Sequence, residues 1–192
     1  MRAPRGEKDM GNFAVIDTET NWSNQVMSIG TVIADTGTFR PIGAKYHVLA
    51  PEYQVGGMFS GVLFPDSRIH PMVCSREEAM GDLLCWLDRQ GVDSIFAYNA
   101  SFDHKLMPEL DRFAWFDIIR IAAYRQHNPR ISASADCCST GRLKRNYGVE
   151  PMLRLLSGDC TYCETHNALY DAMDELTIMR LLGHPLTDYV RL

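Results

Sequence analysis

The sequence predicts an α/β fold built on a mixed central sheet, and three observations carry the prediction. The N-terminal quarter reads as three consecutive strands; helical and strand patterns then alternate to the end; and no repeat, low-complexity tract or shift of composition divides the 192 residues. A chain of this length holds one sizeable core, so residues 12–192 are expected to form a single domain behind a flexible N-terminal tail of residues 1–11.

The first strand is "GNFAVIDTE" (11–19), the second "NQVMSIGTVIAD" (24–35) and the third "TFRPIGAKYHVLA" (38–50), with "DTG" (35–37) as the turn between the last two. Together they form an antiparallel meander. Residues 51–75 carry Gly56, Gly57, Gly61, Pro65 and Pro71 without a sustained period and read as a long surface connection. Ser75 and Glu78 form a capping-box pattern, after which Met80, Leu83, Leu84 and Leu87 fall at helical spacing until Gly91. "SIFAYNA" (94–100) is a short buried strand, followed by a helical "DHKLMPELDRF" in which Pro108 marks a kink or an early end. "WFDIIRIAAYR" (115–125) reads as a strand running into a helix, residues 125–138 are polar and irregular, and "STGRLKRNYGV" (139–149) reads as a small basic helix. The final helix, within residues 166–185, has Leu169, Met173, Leu176 and Met179 in one stripe and stops at Gly183 and Pro185.

The composition, 46% hydrophobic and 22% charged, is that of an ordinary globular protein. A formal net charge of −5 argues against a general nucleic-acid binder that works through a wholly basic surface, but not against an enzyme whose bound cations neutralise substrate phosphates. Residues 1–12 have no apolar stretch behind their charges and no run of about 18 apolar residues exists, so neither a secretory signal nor a membrane span is expected. Six irregularly spaced cysteines do not look like a secreted disulfide framework, which places the protein in a reducing cytoplasm.

The apolar run "FAVI" ends abruptly in Asp17 and Glu19. With a side-chain period of two, both carboxylates project to one face at the carboxyl end of the strand. A multivalent cation between them would offset the repulsion, and hard oxygen ligands suit Mg²⁺ or Mn²⁺. A solvated strand end would also carry such a pair. The later buried strand ends in "NASFD", placing Asn99 and Asp103 at a strand-to-helix handover, where sites of open α/β sheets gather. Taken alone, Asp103 reads as a helix cap. In "HNALYDA", five residues separate His166 from Asp171, about 140° apart on one continuous helix. The two converge only if His166 lies before the helix or in its first turn, where it would suit a general base that need not bind metal. Separately they read as a helix-start histidine and a surface acid, like the nearby Asp174 and Glu175.

Together, "DTE", "NASFD" and "HNALYD" resemble, in order and separation, the DEDD-type, DnaQ-like 3′–5′ exonucleases, specifically the histidine-containing DEDDh subgroup. "STGRLKRNYGVE" also resembles the family's small helix ending in Tyr-Gly-(Val/Ile), so the likeness runs from about residue 12 to residue 183. The resemblance implies a ribonuclease-H-like fold. It implies that Asp17, Glu19, Asp103 and Asp171 hold two Mg²⁺ or Mn²⁺ ions about 3.5–4 Å apart around a scissile phosphate. It implies that His166 takes a proton from the attacking water and that nucleoside 5′-monophosphates leave from the 3′ end of single-stranded DNA or RNA. By the same resemblance, the main chain from Thr18 to Thr20, together with Asn99 and Phe102, holds the terminal nucleotide.

Residues 51–75, with "QVGGMFSG", depart from the family pattern, and Tyr53, Phe59 and Phe64 there are candidates for base stacking or for packing over the sheet. Arg142, Lys144 and Arg145 form either a phosphate-contacting patch or a solvated helix face. Cys137, Cys138, Cys160 and Cys163 form an untidy set for a structural zinc, and thiols acting as small hydrophobes are the simpler reading. Two other functions remain: an oligoribonuclease-like phosphodiesterase for very short RNA or small nucleotides, and a non-catalytic module that binds nucleic acid or a protein partner.

Overall fold

The computed structural model describes residues 11–65 and 69–192; the predicted tail of residues 1–11 therefore lies, but for Gly11, outside the described residues. The predicted meander is present as β1 (Asn12–Thr20), β2 (Val26–Asp35) and β3 (Pro41–Leu49). It is followed by β4 (Met72–Cys74), α1 (Arg76–Arg89), β5 (Val92–Ala97), α2 (Ser101–Leu106), β6 (Ala114–Asp117) and α3 (Ile119–Ala122). α4 (Val149–Ser157), α5 (Ala168–Leu182) and β7 (Val190–Arg191) complete the chain. The sheet order is β4-β3-β2-β1-β5-β6-β7. β1 runs antiparallel to β2 and parallel to β5, so the strand that carries Asp17 and Glu19 lies inside the sheet.

Each face of the sheet buries a core. On one side, Ala14, Ile16, Ile29 and Ile95 pack with Leu83 and Leu87 of α1; on the other, Phe13, Val15, Val32 and Phe96 pack with Met152 of α4 and Leu169, Leu176 and Met179 of α5. The alternation along β1 therefore decides where its carboxylates point. Asp17 and Glu19 share the parity of Phe13 and Val15, the face covered by α5. The capping box at Ser75 and Glu78 starts α1 as predicted, and Pro108 ends α2 early, the chain continuing as a single 3₁₀ turn.

The predicted basic helix over 139–149 does not form. The backbone N–H groups there serve distant partners: Leu143 donates to Ala123 O at 3.0 Å and Lys144 to Asp136 O at 3.0 Å. Arg142 and Leu143 make isolated bridges with Tyr124 and Cys137, and Asn146 has φ +57°. The helix begins where that stretch ends. In α4, Pro151 occupies the first turn, where a missing N–H breaks no intrahelical bond, and Val149, Met152, Leu153 and Leu156 make the buried stripe. The sequence predicts nothing at β4 or β7, which have three and two residues, too few to show a period.

One close approach sets the position of α5. Gly30 pairs with Asp17 in the β1–β2 ladder, and a Cβ placed on it would lie 2.0 Å from Ala168 O. The first turn of α5 thus rests directly on the sheet beside Asp17. Gly30→Ala is expected to cost about 3 kcal/mol, because backbone rather than a flexible side chain must move. Urea unfolding monitored by circular dichroism measures it, and an unchanged midpoint would mean that α5 does not sit there.

Candidate active site

Thr18 projects to the face opposite Asp17 and Glu19, and its buried hydroxyl donates to Asp103 Oδ1 at 2.7 Å. That bond aims the Asp103 carboxylate back at the end of β1 from α2. The turn that delivers α2 is held by Asn99, with φ +62°, whose N–H donates to the Asp117 carboxylate at 3.1 Å. Asn is among the few non-glycine residues that adopt this conformation readily. Phe102, on the first turn of α2, is 47% exposed and therefore stands beside the site rather than in the core.

From the other direction comes the start of α5. Asn167 is its N-cap, the side-chain oxygen accepting from Leu169 N and Tyr170 N, and the chain reverses just before it through His166 at φ +54°. His166 thus lies off the helix, as convergence with Asp171 requires. The ligand atoms of Glu19, His166 and Asp171 all lie within 4.8 Å of one another. Asp17, half-buried on the same face of β1 with its Oδ2 buried, feels the charges of Asp103, Asp171 and Glu19. The five residues of the three motifs are therefore neighbours, while Thr20 is at the rim with its carbonyl facing Gly57.

Burial governs the electrostatics. It pushes the carboxyl of Glu19 up to about 8, with repulsion from Glu164 and Asp103 adding to it, and that of Asp171 up to about 8, with Glu164 and Glu19 adding. Asp103 is raised to about 7, its burial outweighing the bond from Thr18. Asp17 is held well above the usual range by burial and then by Asp103, Glu175 and Asp171. Asp17 Oδ2 and Asp171 Oδ1 are buried with no hydrogen-bond partner. Crowded, orphaned carboxylate oxygens of this kind fit hard divalent cations, which would supply both the missing partner and the compensating charge.

Two acids were not expected here. Glu175, read from the sequence as a surface acid, is 2% exposed on α5 one turn beyond Asp171, and its carboxyl is raised by burial and then by Asp103. The four-residue spacing puts it on the Asp171 face, a signal the charge of the residue obscured. Glu164, half-buried, adds to the field on Glu19 and Asp171. Since Glu175 Oε2 has no partner, Glu175→Met is expected to raise the melting temperature in EDTA at pH 8 by several degrees. A lower melting temperature would show that Glu175 is held by interactions worth more than its burial costs. The four cysteines of the zinc expectation are free, and no cluster of three or more metal-ligating side chains among the described residues includes one of them. Arg142 stacks on Tyr147 and Lys144 pairs with Asp136 at 2.7 Å, so both are engaged locally.

No protein-family model and no curated protein matches the sequence. Solved structures do match the fold. The nuclease domain of 3'hExo, a DEDDh family member bound to rAMP, superposes with a TM-score of 0.65 at 14% identity, over 97% of this chain and 98% of that one. The chain has the fold of that nuclease domain. Exonuclease I from Methylocaldum szegediense (TM-score 0.62, 13% identity) and E. coli Exonuclease I in complex with a 5cy-dT13 oligonucleotide (TM-score 0.61, 12% identity) share it over 92% and 94% of this chain. The chain spans 41% and 42% of those two proteins. The ribonuclease-H-like expectation is therefore met, and no helix among the described residues is long and apolar enough to cross a membrane.

Proposed function

We propose that residues 12–192 form a 3′–5′ exonuclease domain that hydrolyses the terminal phosphodiester of single-stranded DNA or RNA and releases nucleoside 5′-monophosphates. The observation that carries this reading is the convergence of Glu19, from the first motif, with His166 and Asp171, from the third, at the end of β1. Asp17, Glu19, Asp103 and Asp171 would hold two divalent cations, Mg²⁺ or Mn²⁺. Such ions supply a water acidified enough to attack near neutral pH and charge to stabilise the departing oxygen. Thr18 keeps Asp103 aimed inward through its hydroxyl. His166, off the helix and within 4.8 Å of the Glu19 and Asp171 carboxylates, takes the proton of the attacking water. Phe102, exposed on the first turn of α2, Asn99 at the preceding turn and the main chain from Thr18 to Thr20 would hold the terminal nucleotide. The neighbours' ligands, rAMP in one and a deoxyoligonucleotide in another, leave either sugar as a substrate class. Free cysteines accord with a cytoplasmic setting.

The test is digestion of matched 5′-labelled single-stranded DNA and RNA oligonucleotides with Mn²⁺ or with EDTA. A metal-dependent ladder shortening from the 3′ end supports the exonuclease; cleavage confined to dinucleotides favours the oligoribonuclease-like reading, and none at all favours a binding module. His166→Ala is expected to lower the rate by about 10²-fold or more while Mn²⁺ still binds. An unaltered rate would remove the histidine from the mechanism.

A further inference from the structure

The segment 52–64 was expected as a surface connection, yet it is tied down on both sides of the carboxylates. At the end of β1, the Trp22 N–H donates to Gly56 O at 2.9 Å and the Asn21 amide to Glu52 O at 3.0 Å. Gly57 lies so close that a Cβ there would stand 2.6 Å from Thr20 O. At the start of α5, the Asn167 amide donates to Val62 O at 2.7 Å and to the Tyr46 hydroxyl at 2.9 Å, and Tyr46 in turn donates to Leu63 O at 2.9 Å. Leu63 is buried in the core. The segment is thus a strap from the first motif to the third, and Phe59 is near its middle. The Phe59 ring lies on the His166 imidazole with centroids 4.1 Å apart and planes 18° from parallel.

Resting on the exonuclease reading for its catalytic consequence, we propose that Phe59 is the positioning residue of His166. His166 has a left-handed backbone outside the helix, where helical packing does not fix its side chain. No hydrogen bond of the described side chains orients its ring, whereas the stack confines the ring plane and leaves its edge free to face Glu19 and Asp171. The Asn167 side chain couples the two parts: it caps the helix that carries Asp171 and holds the strap that carries Phe59. An aromatic ring at 59 thereby sets the imidazole plane.

Two measurements test this. The first is independent of activity: in EDTA, the His166 ring protons, identified by their loss in His166→Gln, should resonate upfield through the ring current of Phe59. They should move downfield in Phe59→Leu and stay in place in Phe59→Tyr. The second uses the oligonucleotide the wild type shortens: Phe59→Leu should lower kcat by about 10–100-fold with KM unchanged, and Phe59→Tyr should restore it. Thermal melting of both variants shows whether they fold. His166 signals that do not respond to Phe59→Leu, or a Phe59→Leu enzyme with wild-type kcat, would overturn the proposal. If the wild type shortens no strand, the exonuclease reading fails, while the proton shifts still decide whether Phe59 fixes the imidazole.

Discussion

Asp17→Asn should abolish metal-dependent hydrolysis while making the metal-free protein more stable. Asp17 stands half-buried at the end of β1, with one carboxylate oxygen buried and unpartnered and with Asp103, Glu175, Asp171 and Glu19 all acting to keep it protonated. A residue so placed costs the fold free energy unless a cation sits against it. Removing its charge removes the cost, so the melting temperature in EDTA at pH 8 should rise. On the proposed reading it also removes a cation ligand, one that feels Asp103, Asp171 and Glu19 together. Loss of a bound cation takes away stabilisation of both the attacking and the leaving oxygen, so the rate should fall by roughly 10⁴-fold or more, beyond the 10²–10⁴-fold typical of one acid–base group. Opposite signs in the two measurements separate a metal ligand from a structural residue, which would lose both activity and stability. Turnover retained at more than a tenth of wild type would mean that Asp17 holds no essential ion.

The parts of the site that were legible in the sequence are those where one residue type breaks a regular pattern. An apolar strand that stops at Asp17 and Glu19 announces both their face and their exposure to one another, because period two fixes parity. His166 was legible through a misfit: five residues from Asp171 is wrong for one helix and right only if the histidine precedes it, which the Asn167 cap makes true. Glu175 was missed for the converse reason. Its spacing matches Asp171 as well as any apolar residue does, but a carboxylate on a helix is normally solvated, and Glu175 is buried only through the packing of α5 against the sheet. The strap was illegible because its role comes from contacts far apart in sequence: Asn167 to Val62 and Phe59 to His166 have no local signature. In α4, Pro151 and the preceding glycines masked a helix whose apolar spacing was present all along.

The pH dependence of the metal-free protein should run opposite to that of most proteins, with stability falling between pH 5 and pH 8. In the unfolded chain the carboxyl groups titrate near 4, whereas folding raises Asp103 to about 7 and Glu19 and Asp171 to about 8, with Asp17 and Glu175 also raised. Between these limits the folded state binds more protons than the unfolded state, so stability is fully present below about pH 4 and is lost as pH rises through 7 to 8. His47 opposes this, since burial lowers its affinity for a proton and its contribution grows with pH, but Asp117, Glu164 and Asp174 are raised as well, so it is one group against eight carboxyls. The carboxylates whose affinity for protons is lowered, Glu78, Asp82, Glu109 and Asp159, act below this window. At about 1.4 kcal/mol for each tenfold gain in proton affinity on folding, reduced for the coupling among neighbours, the net loss is on the order of 5 kcal/mol. For a chain of this size that corresponds to roughly 10 °C or more in melting temperature. Mn²⁺ or Mg²⁺ should reverse it at pH 8, because an ion that binds only the folded site replaces the protons and adds stability with its concentration. Thermal melts at pH 5 and 8, each with EDTA or with millimolar Mn²⁺, measure both effects. A melting temperature in EDTA that is level or rising across that interval would mean that the five acids are not enclosed together. A fall that Mn²⁺ does not relieve would mean that they are enclosed but do not form a cation site.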